Sequence, residues 1–204
     1  MPELDARADG GALARLVDEV AARLSALPRR DDDFYVGSEL SAVDRALSVI
    51  SAEGLARGPV FCEWGSGLGG VCGVAALNGF TPVGIEIRSD LIASARSLAE
   101  ALALPMVFAE GTFLLPGDED LAADARGNTR LTFDSSAWDE LGVLPADCDV
   151  VFAYPWPGEE AFIDAVFARH ATSGALLLTF HDFGRVLAQR KLADQPGLRT
   201  LGWL

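Results

Sequence analysis

The 204-residue chain reads as an α/β protein of three layers, helix over sheet over helix (αβα), built on a doubly wound and mostly parallel sheet. Three observations carry this reading. Short apolar runs of strand length, at 59–62, 81–87, 105–109, 150–153 and 174–180, alternate with segments of helical period. A glycine-rich turn, Gly65-Ser66-Gly67-Leu68-Gly69-Gly70, joins the first run directly to a helical pattern. The second run ends in an acid, Glu86, about 20 residues beyond that turn. Strands and helices in alternation give a parallel sheet with right-handed crossovers and helices on both faces.

The elements follow in order. Residues 12–27 carry Leu13, Leu16, Val17, Val20 and Leu24 on one face and predict an amphipathic helix. A charged break at 28–33 separates it from a second helix, 38–53, with Ser38 as N-cap and Leu40, Val43, Leu47 and Ile50 as its apolar stripe. These two helices form an N-terminal helical cap, residues 1–57, ahead of a core, residues 58–204, in one compact domain. The first strand enters the glycine turn and a helix at 68–78. The strand at 81–87 leads to a helix at 89–104, where Ser89 is placed to cap and Asp90 suits the positive end. Leu91, Ala95, Leu98 and Leu102 repeat at helical spacing. After the strand at 105–109, residues 117–149 are long, acidic and weakly periodic. They are expected to hold irregular structure and a short element at 129–133, and a connection of this length implies a task. The strand at 150–153, a helix at 159–170 and the strand at 174–180 follow. Residues 184–193 read as a helix and 198–204 as one last strand.

Composition narrows the function. Half of the residues are hydrophobic, so the chain is expected to be globular. No apolar run approaches the ~20 residues of a membrane span. Residues 1–10 are charged and lack the apolar core of a signal peptide, which points to the cytoplasm. Cys62, Cys72 and Cys148 have apolar neighbours and read as reduced, buried thiols. No Cys/His cluster has metal-ligand spacing, so no metal is expected. The formal charge of −14 disfavours general binding to nucleic acid, which relies on Lys and Arg. From Glu110 to Asp149 ten acids stand against two arginines, Arg126 and Arg130. A solvated, solubilising face is the first reading of that excess, and an electrostatic lure for a basic substrate the second.

Strand, glycine turn and helix together form a nucleotide-binding unit. The glycines admit a ligand without a Cβ in its way, and the helix N-terminus presents free N–H groups to it. Gly65, Gly67 and Gly70 satisfy the Gly-x-Gly-x-x-Gly spacing of dinucleotide enzymes. Glu63, Gly65, Gly67 and Gly69 equally satisfy Glu-x-Gly-x-Gly-x-Gly. The second pattern uses one residue more, and a carboxylate at the strand end suits a cationic ligand better than a pyrophosphate. Glu86, at the end of the second strand, is placed to accept hydrogen bonds from both ribose hydroxyls.

With these residues the chain resembles the class I S-adenosylmethionine-dependent methyltransferases, over residues 58 to about 181. The resemblance implies a Rossmann-like core and S-adenosylmethionine as cofactor. Glu63 and the turn of Gly65, Gly67 and Gly69 would hold the methionyl part, Glu86 the ribose, and Ile87 with Phe113 the adenine. Thr112 stands where the family often has an acid for the adenine amino group. Tyr154-Pro155-Trp156-Pro157 is similar to the family's Asn/Asp-Pro-Pro-aromatic motif beside the transferred methyl. Tyr154 replaces the Asn or Asp and Trp156 the second proline, so amine recognition is not carried over. Tyr154, Pro155 and Trp156 are expected to wall the transfer site. Tyr35 and His181 are secondary candidates. The implied partner is a methyl acceptor, a small molecule or a protein side chain. An NAD-dependent oxidoreductase on the same turn, or a cofactor-binding module without catalysis, remain the alternatives.

Overall fold

In the computed structural model, which describes residues 10–27, 35–122, 137–193 and 197–204, apolar alternation along the central strands builds two cores against one sheet. The strands are β1 (Val60–Trp64), β2 (Thr81–Glu86), β3 (Val107–Glu110), β4 (Val150–Ala153), β5 (Leu176–His181), β6 (Arg185–Lys191) and β7 (Leu198–Trp203). They form one seven-stranded sheet in the order β3-β2-β1-β4-β5-β6-β7. Pairings from β3 through β5 are parallel, and β5–β6 and β6–β7 are antiparallel.

Phe61, Phe108, Val150, Phe152 and Leu176 point to the face covered by α2 (Leu40–Ala52), α3 (Gly70–Leu77) and α4 (Ser89–Leu102), with α1 (Gly10–Ala26) outside α3. Cys62, Trp64, Val83, Val151 and Leu177 point to the opposite face, against α6 (Trp138–Leu141) and α7 (Glu160–His170). The short α5 (Glu119–Ala122) packs on α7. Leu16 of α1 is fully buried against Gly73 of α3. A Cβ at Gly73 would lie 2.6 Å from the Leu16 side chain, so the glycine sets how closely the two helices approach. Val43, Ala46, Leu47 and Ile50 of α2 are likewise part of the core.

The chain end corrects the sequence reading. Residues 185–191 are strand β6, not a helix, so two strands follow β5 and the sheet has seven. Arg, Leu, Ala, Gln and Lys are good helix formers, which is what the sequence showed. Tertiary context overrides that preference: the open edge of β5 bonds this segment from Arg185 to Arg190, and Val186 and Ala188 bury almost completely. The turn between the strands is tight, with Phe183 at φ 63° and Gly184 at φ 66°.

Two caps also differ. α2 starts at Leu40 with Glu39, not Ser38, in the N-cap position, and α4 starts at Ser89 with Arg88 before it. Neither has a side-chain cap bond. Asp90 lies in the first turn of α4, at the positive end as expected, and also pairs with Arg88 at 2.7 Å. The element expected at 129–133 lies outside the described residues.

Several acids of the 117–149 segment are structural. Asp118 is fully buried and accepts from Leu115 N–H (2.9 Å), Arg169 (3.2 Å) and His170 Nε2 (2.8 Å). Asp149 accepts from Val60 N–H at 3.0 Å and Arg57 at 3.2 Å, tying the start of β1 to β4. These bonds fasten the long connection to α7 and to the sheet, a role a count of charges does not reveal. No helix among the described residues is long and apolar enough to cross a membrane.

Candidate active site at the carboxyl ends of the strands

Parallel strands leave their carboxyl ends on one edge of the sheet. A ligand crevice forms where neighbouring strands are connected in opposite directions, here between β1 and β4. A cavity of ≈ 560 Å³ opens there, between the glycine turn, the loops after β2 and β3, and the loops after β4 and β5.

The turn has the left-handed backbone its glycines permit: φ is 75° at Gly65, 51° at Gly67 and 79° at Gly69. Gly65 and Ser66 donate to the Ile85 carbonyl, both at 2.9 Å. Gly67 N–H donates to Glu86 Oε2 at 2.9 Å and Arg88 N–H to Glu86 Oε1 at 3.0 Å. One buried carboxylate therefore fixes the turn to the end of β2, and each of its oxygens keeps capacity for another donor. A Cβ at Gly65 would meet no protein atom within 4 Å, because that space belongs to the cavity. A Cβ at Gly67 would lie 2.4 Å from the Tyr35 ring, so the phenol lies directly over the turn.

The structure brings Gly65, Gly67, Glu86, Ile87, Thr112, Phe113, Tyr154, Pro155 and Trp156 to this one cavity. Glu63 and Gly69 are not in its wall. Alternation in β1 sends the Glu63 side chain to the α3 side, where it accepts Cys72 N–H at 3.1 Å in the first turn of the helix. Gly69 precedes α3, and a Cβ there would lie 2.7 Å from the Phe108 ring. Both residues support the turn from beneath.

Burial shapes the electrostatics. Glu63 is pushed up to about 8 by burial, opposed by its bonds from Cys72 and reinforced by the Glu86 charge. Burial also raises Glu86, against the backbone N–H groups of Arg88, Gly67 and Ile87. Tyr35 is pushed up to about 12 by burial and then by the Glu63 charge. The consequence for Glu63 is a stability that falls as pH rises. Its folded value exceeds the ordinary 4.5, so between about pH 4.5 and 8 the folded state holds the extra proton and unfolding releases it. Wild-type stability is expected to decline across that window by at most about 1.4 kcal/mol per pH unit. Glu63→Gln is expected to flatten this part of the profile, measured by urea denaturation at several pH values. An unchanged slope in the variant would assign the decline to other groups.

On the far wall, Thr112 Oγ1 accepts Leu114 N–H at 3.1 Å, leaving its O–H free to donate. Phe113 stacks on Trp64, with centroids 4.6 Å apart and planes 2° apart, so one face of that ring is already covered. Tyr154 meets Phe180 edge to face at 4.9 Å. Trp156 is 45% exposed. Glu159 and Glu160 hold the loop before α7 by accepting Trp156 N–H (3.3 Å) and Gly158 N–H (2.9 Å). His181 lines the cavity, bonded through Nε2 to Thr179 Oγ1 at 2.9 Å and flanked by Trp203 at 5.1 Å. Sequence reasoning missed Trp64, Arg88, Ile163 and Phe180 as cavity residues. Trp64 carried a signal, an aromatic between the strand acid and the first glycine.

No protein-family model and no curated protein sequence matches the chain. Solved structures do match. The O-methyltransferase from Bacillus cereus in complex with SAH is 14% identical with a TM-score of 0.53, over 86% of this chain and 68% of that one. The O-methyltransferase TomG from Streptomyces achromogenes, involved in tomaymycin synthesis and solved with SAM, is 17% identical with a TM-score of 0.50, over 84% and 65%. A putative O-methyltransferase from Klebsiella pneumoniae is 15% identical with a TM-score of 0.51, also over 84% and 65%. The chain thus spans about two thirds of the length of these structures. At these identities the likeness is one of fold: the chain has the α/β methyltransferase fold of its matches.

Proposed function

We propose that this protein is an S-adenosylmethionine-dependent methyltransferase acting on a small molecule or a protein side chain. The observation that carries the reading is the Glu86 carboxylate, which clamps the Glu-x-Gly-x-Gly-x-Gly turn through Gly67 N–H at the mouth of a cavity. The residues fit the cofactor on two counts. The empty space over Gly65 admits a ligand in contact with the backbone, and Glu86, in the cavity wall, offers carboxylate oxygens that can accept from hydroxyl donors.

When bound, the cofactor supplies an electrophilic methyl group on a sulfonium. Glu86 would accept from the ribose hydroxyls. Ile87, Thr112 and Phe113 would surround the base. The turn, with Glu63 beneath it and Tyr35 above it, would hold the methionyl part. Tyr154, Pro155 and Trp156 would position the acceptor and exclude water, a contribution that comes from orientation and needs no covalent intermediate. Three buried free thiols fit a reducing compartment and a cytoplasmic location. The net charge of −14 argues against bulk nucleic acid as acceptor.

The test is transfer of labelled methyl from S-adenosylmethionine to a panel of hydroxyl, amine and thiol compounds and peptides. Trp156→Ala then probes the transfer site. Because Trp156 is 45% exposed, its removal is expected to cost much less stability than the ~3–5 kcal/mol of a buried Trp. Turnover is expected to fall about 10- to 100-fold with cofactor affinity retained. A variant that melts far lower yet keeps full specific activity would make the loop structural and move the transfer site toward Tyr35 or His181.

A further inference from the structure

The acceptor end of the cavity has a composition of its own. The loop after β4, the helix α7 and the strand β5 supply Tyr154, Pro155, Trp156, Ile163 and Phe180, an apolar and largely aromatic wall. Tyr154 is fixed edge to face on Phe180, whereas Trp156 stays 45% exposed. Two acids, Glu159 and Glu160, line the same end. Among the described residues of the whole wall one is a Lys or Arg. It is Arg88, which follows β2 at the cofactor end and pairs with Asp90 at 2.7 Å. The imidazole of the acceptor end, His181, is bonded to Thr179.

Acids at a helix start are ordinary, because they suit its positive end. Glu159 and Glu160 stand at the start of α7, and each accepts one loop N–H through a single oxygen. A carboxylate has capacity for more. Asp164 follows Glu160 by one helical turn and adds a third acid. Burial pushes Glu159 up, against the Trp156 N–H, and the Glu160 charge pushes it further. Asp164 is raised by burial, against Gln189 and His181, and again by the Glu160 charge. Negative charge crowded beside aromatic rings favours a positive group that enters and repels an anion.

We propose that the methyl acceptor is a small compound with an apolar, aromatic body and an amino group that is protonated at neutral pH. The body lies against Tyr154, Trp156 and Phe180, and the ammonium lies by Glu159 and Glu160. Having no lone pair, the ammonium is an anchor and not the methylated atom. The inference rests on the methyltransferase reading above and narrows its acceptor.

The experiment uses the intact ¹⁵N-labelled protein saturated with S-adenosylhomocysteine. Three compounds with one ring system and different charge are titrated: tryptamine, tryptophol and indole-3-propionate. Affinity is read from the Trp156 indole signal, assigned with Trp156→Phe. Tryptamine is expected to bind at least about 10-fold more tightly than indole-3-propionate, with tryptophol between them. Nα-acetyl-lysine amide, which carries the ammonium without the ring, is expected to bind more weakly than tryptamine. The double variant Glu159→Gln, Glu160→Gln keeps an acceptor oxygen for each loop N–H. It is expected to reduce the preference for tryptamine over indole-3-propionate to about 2-fold, with tryptophol unchanged. Equal affinities, preference for the anion, or no binding of tryptamine would overturn the proposal. A preference that survives in the double variant, or tighter binding of the lysine amide, would also overturn it. All of these leave the cofactor reading standing, since S-adenosylhomocysteine is bound throughout. Failure of S-adenosylhomocysteine itself to bind would overturn both.

Discussion

Glu86→Ala is expected to weaken S-adenosylhomocysteine binding on the order of 100- to 10,000-fold while the empty protein stays folded. Two opposing effects act on the empty protein. The variant takes the acceptor away from Gly67 N–H and Arg88 N–H, bonded at 2.9 and 3.0 Å. It also removes a carboxyl group whose ionised form burial disfavours. Gly67 and Arg88 both line the cavity, and with the two effects opposed the change in melting temperature is expected to be small. With ligand the balance differs. A charged acceptor bonded by two hydroxyls contributes about 1.5–3 kcal/mol for each bond, and the turn loses the clamp that sets its shape. Glu86→Gln, with one acceptor oxygen left, is expected to fall between. The readout is ligand-induced thermal stabilisation beside calorimetric affinity. Undiminished affinity in a folded Glu86→Ala protein would remove this residue from the site.

The second large effect is expected at Gly65. Its φ of 75° is a backbone state that an alanine adopts at a cost of about 1 kcal/mol. No protein atom lies within 4 Å of the Cβ it would gain, so Gly65→Ala is expected to melt only slightly lower. The new methyl projects into the cavity where a ligand approaches the turn, and binding is expected to weaken about 10- to 100-fold. Gly69→Ala makes the opposite contrast. Its Cβ would lie 2.7 Å from the Phe108 ring, inside the packed face of the sheet, so the variant loses stability first. A Gly65→Ala protein with wild-type affinity would show that no ligand sits over the turn.

Much of the fold was legible because strand length, helical period and glycine placement all pointed one way through residue 181. β4 is the apolar run at 150–153, and α7 is offset from the helix read at 159–170 by one residue. The reading failed where local preference and tertiary context disagree. Arg185–Lys191 has helix-forming side chains, and only the open edge of β5 makes it a strand. The site was legible in outline, since the cavity gathers nine of the eleven residues named from sequence. Glu63 shows what a motif leaves out. The pattern marks the residue, but the alternation of β1 decides its direction, and its bond to Cys72 N–H makes it a support of the turn. Trp64 escaped notice as a cavity residue because its stack on Phe113, about fifty positions away, sets its place. The acids at 118 and 149 read as surface charge for the same reason, their partners being distant in sequence.

The account stands on the identity of the ligand at the glycine turn. Isothermal titration of the purified protein with S-adenosylmethionine, S-adenosylhomocysteine and NAD tests it most directly. Saturable binding of both sulfur ligands, and none of NAD, is the result predicted. Saturable binding of NAD with no heat from either sulfur ligand would contradict it.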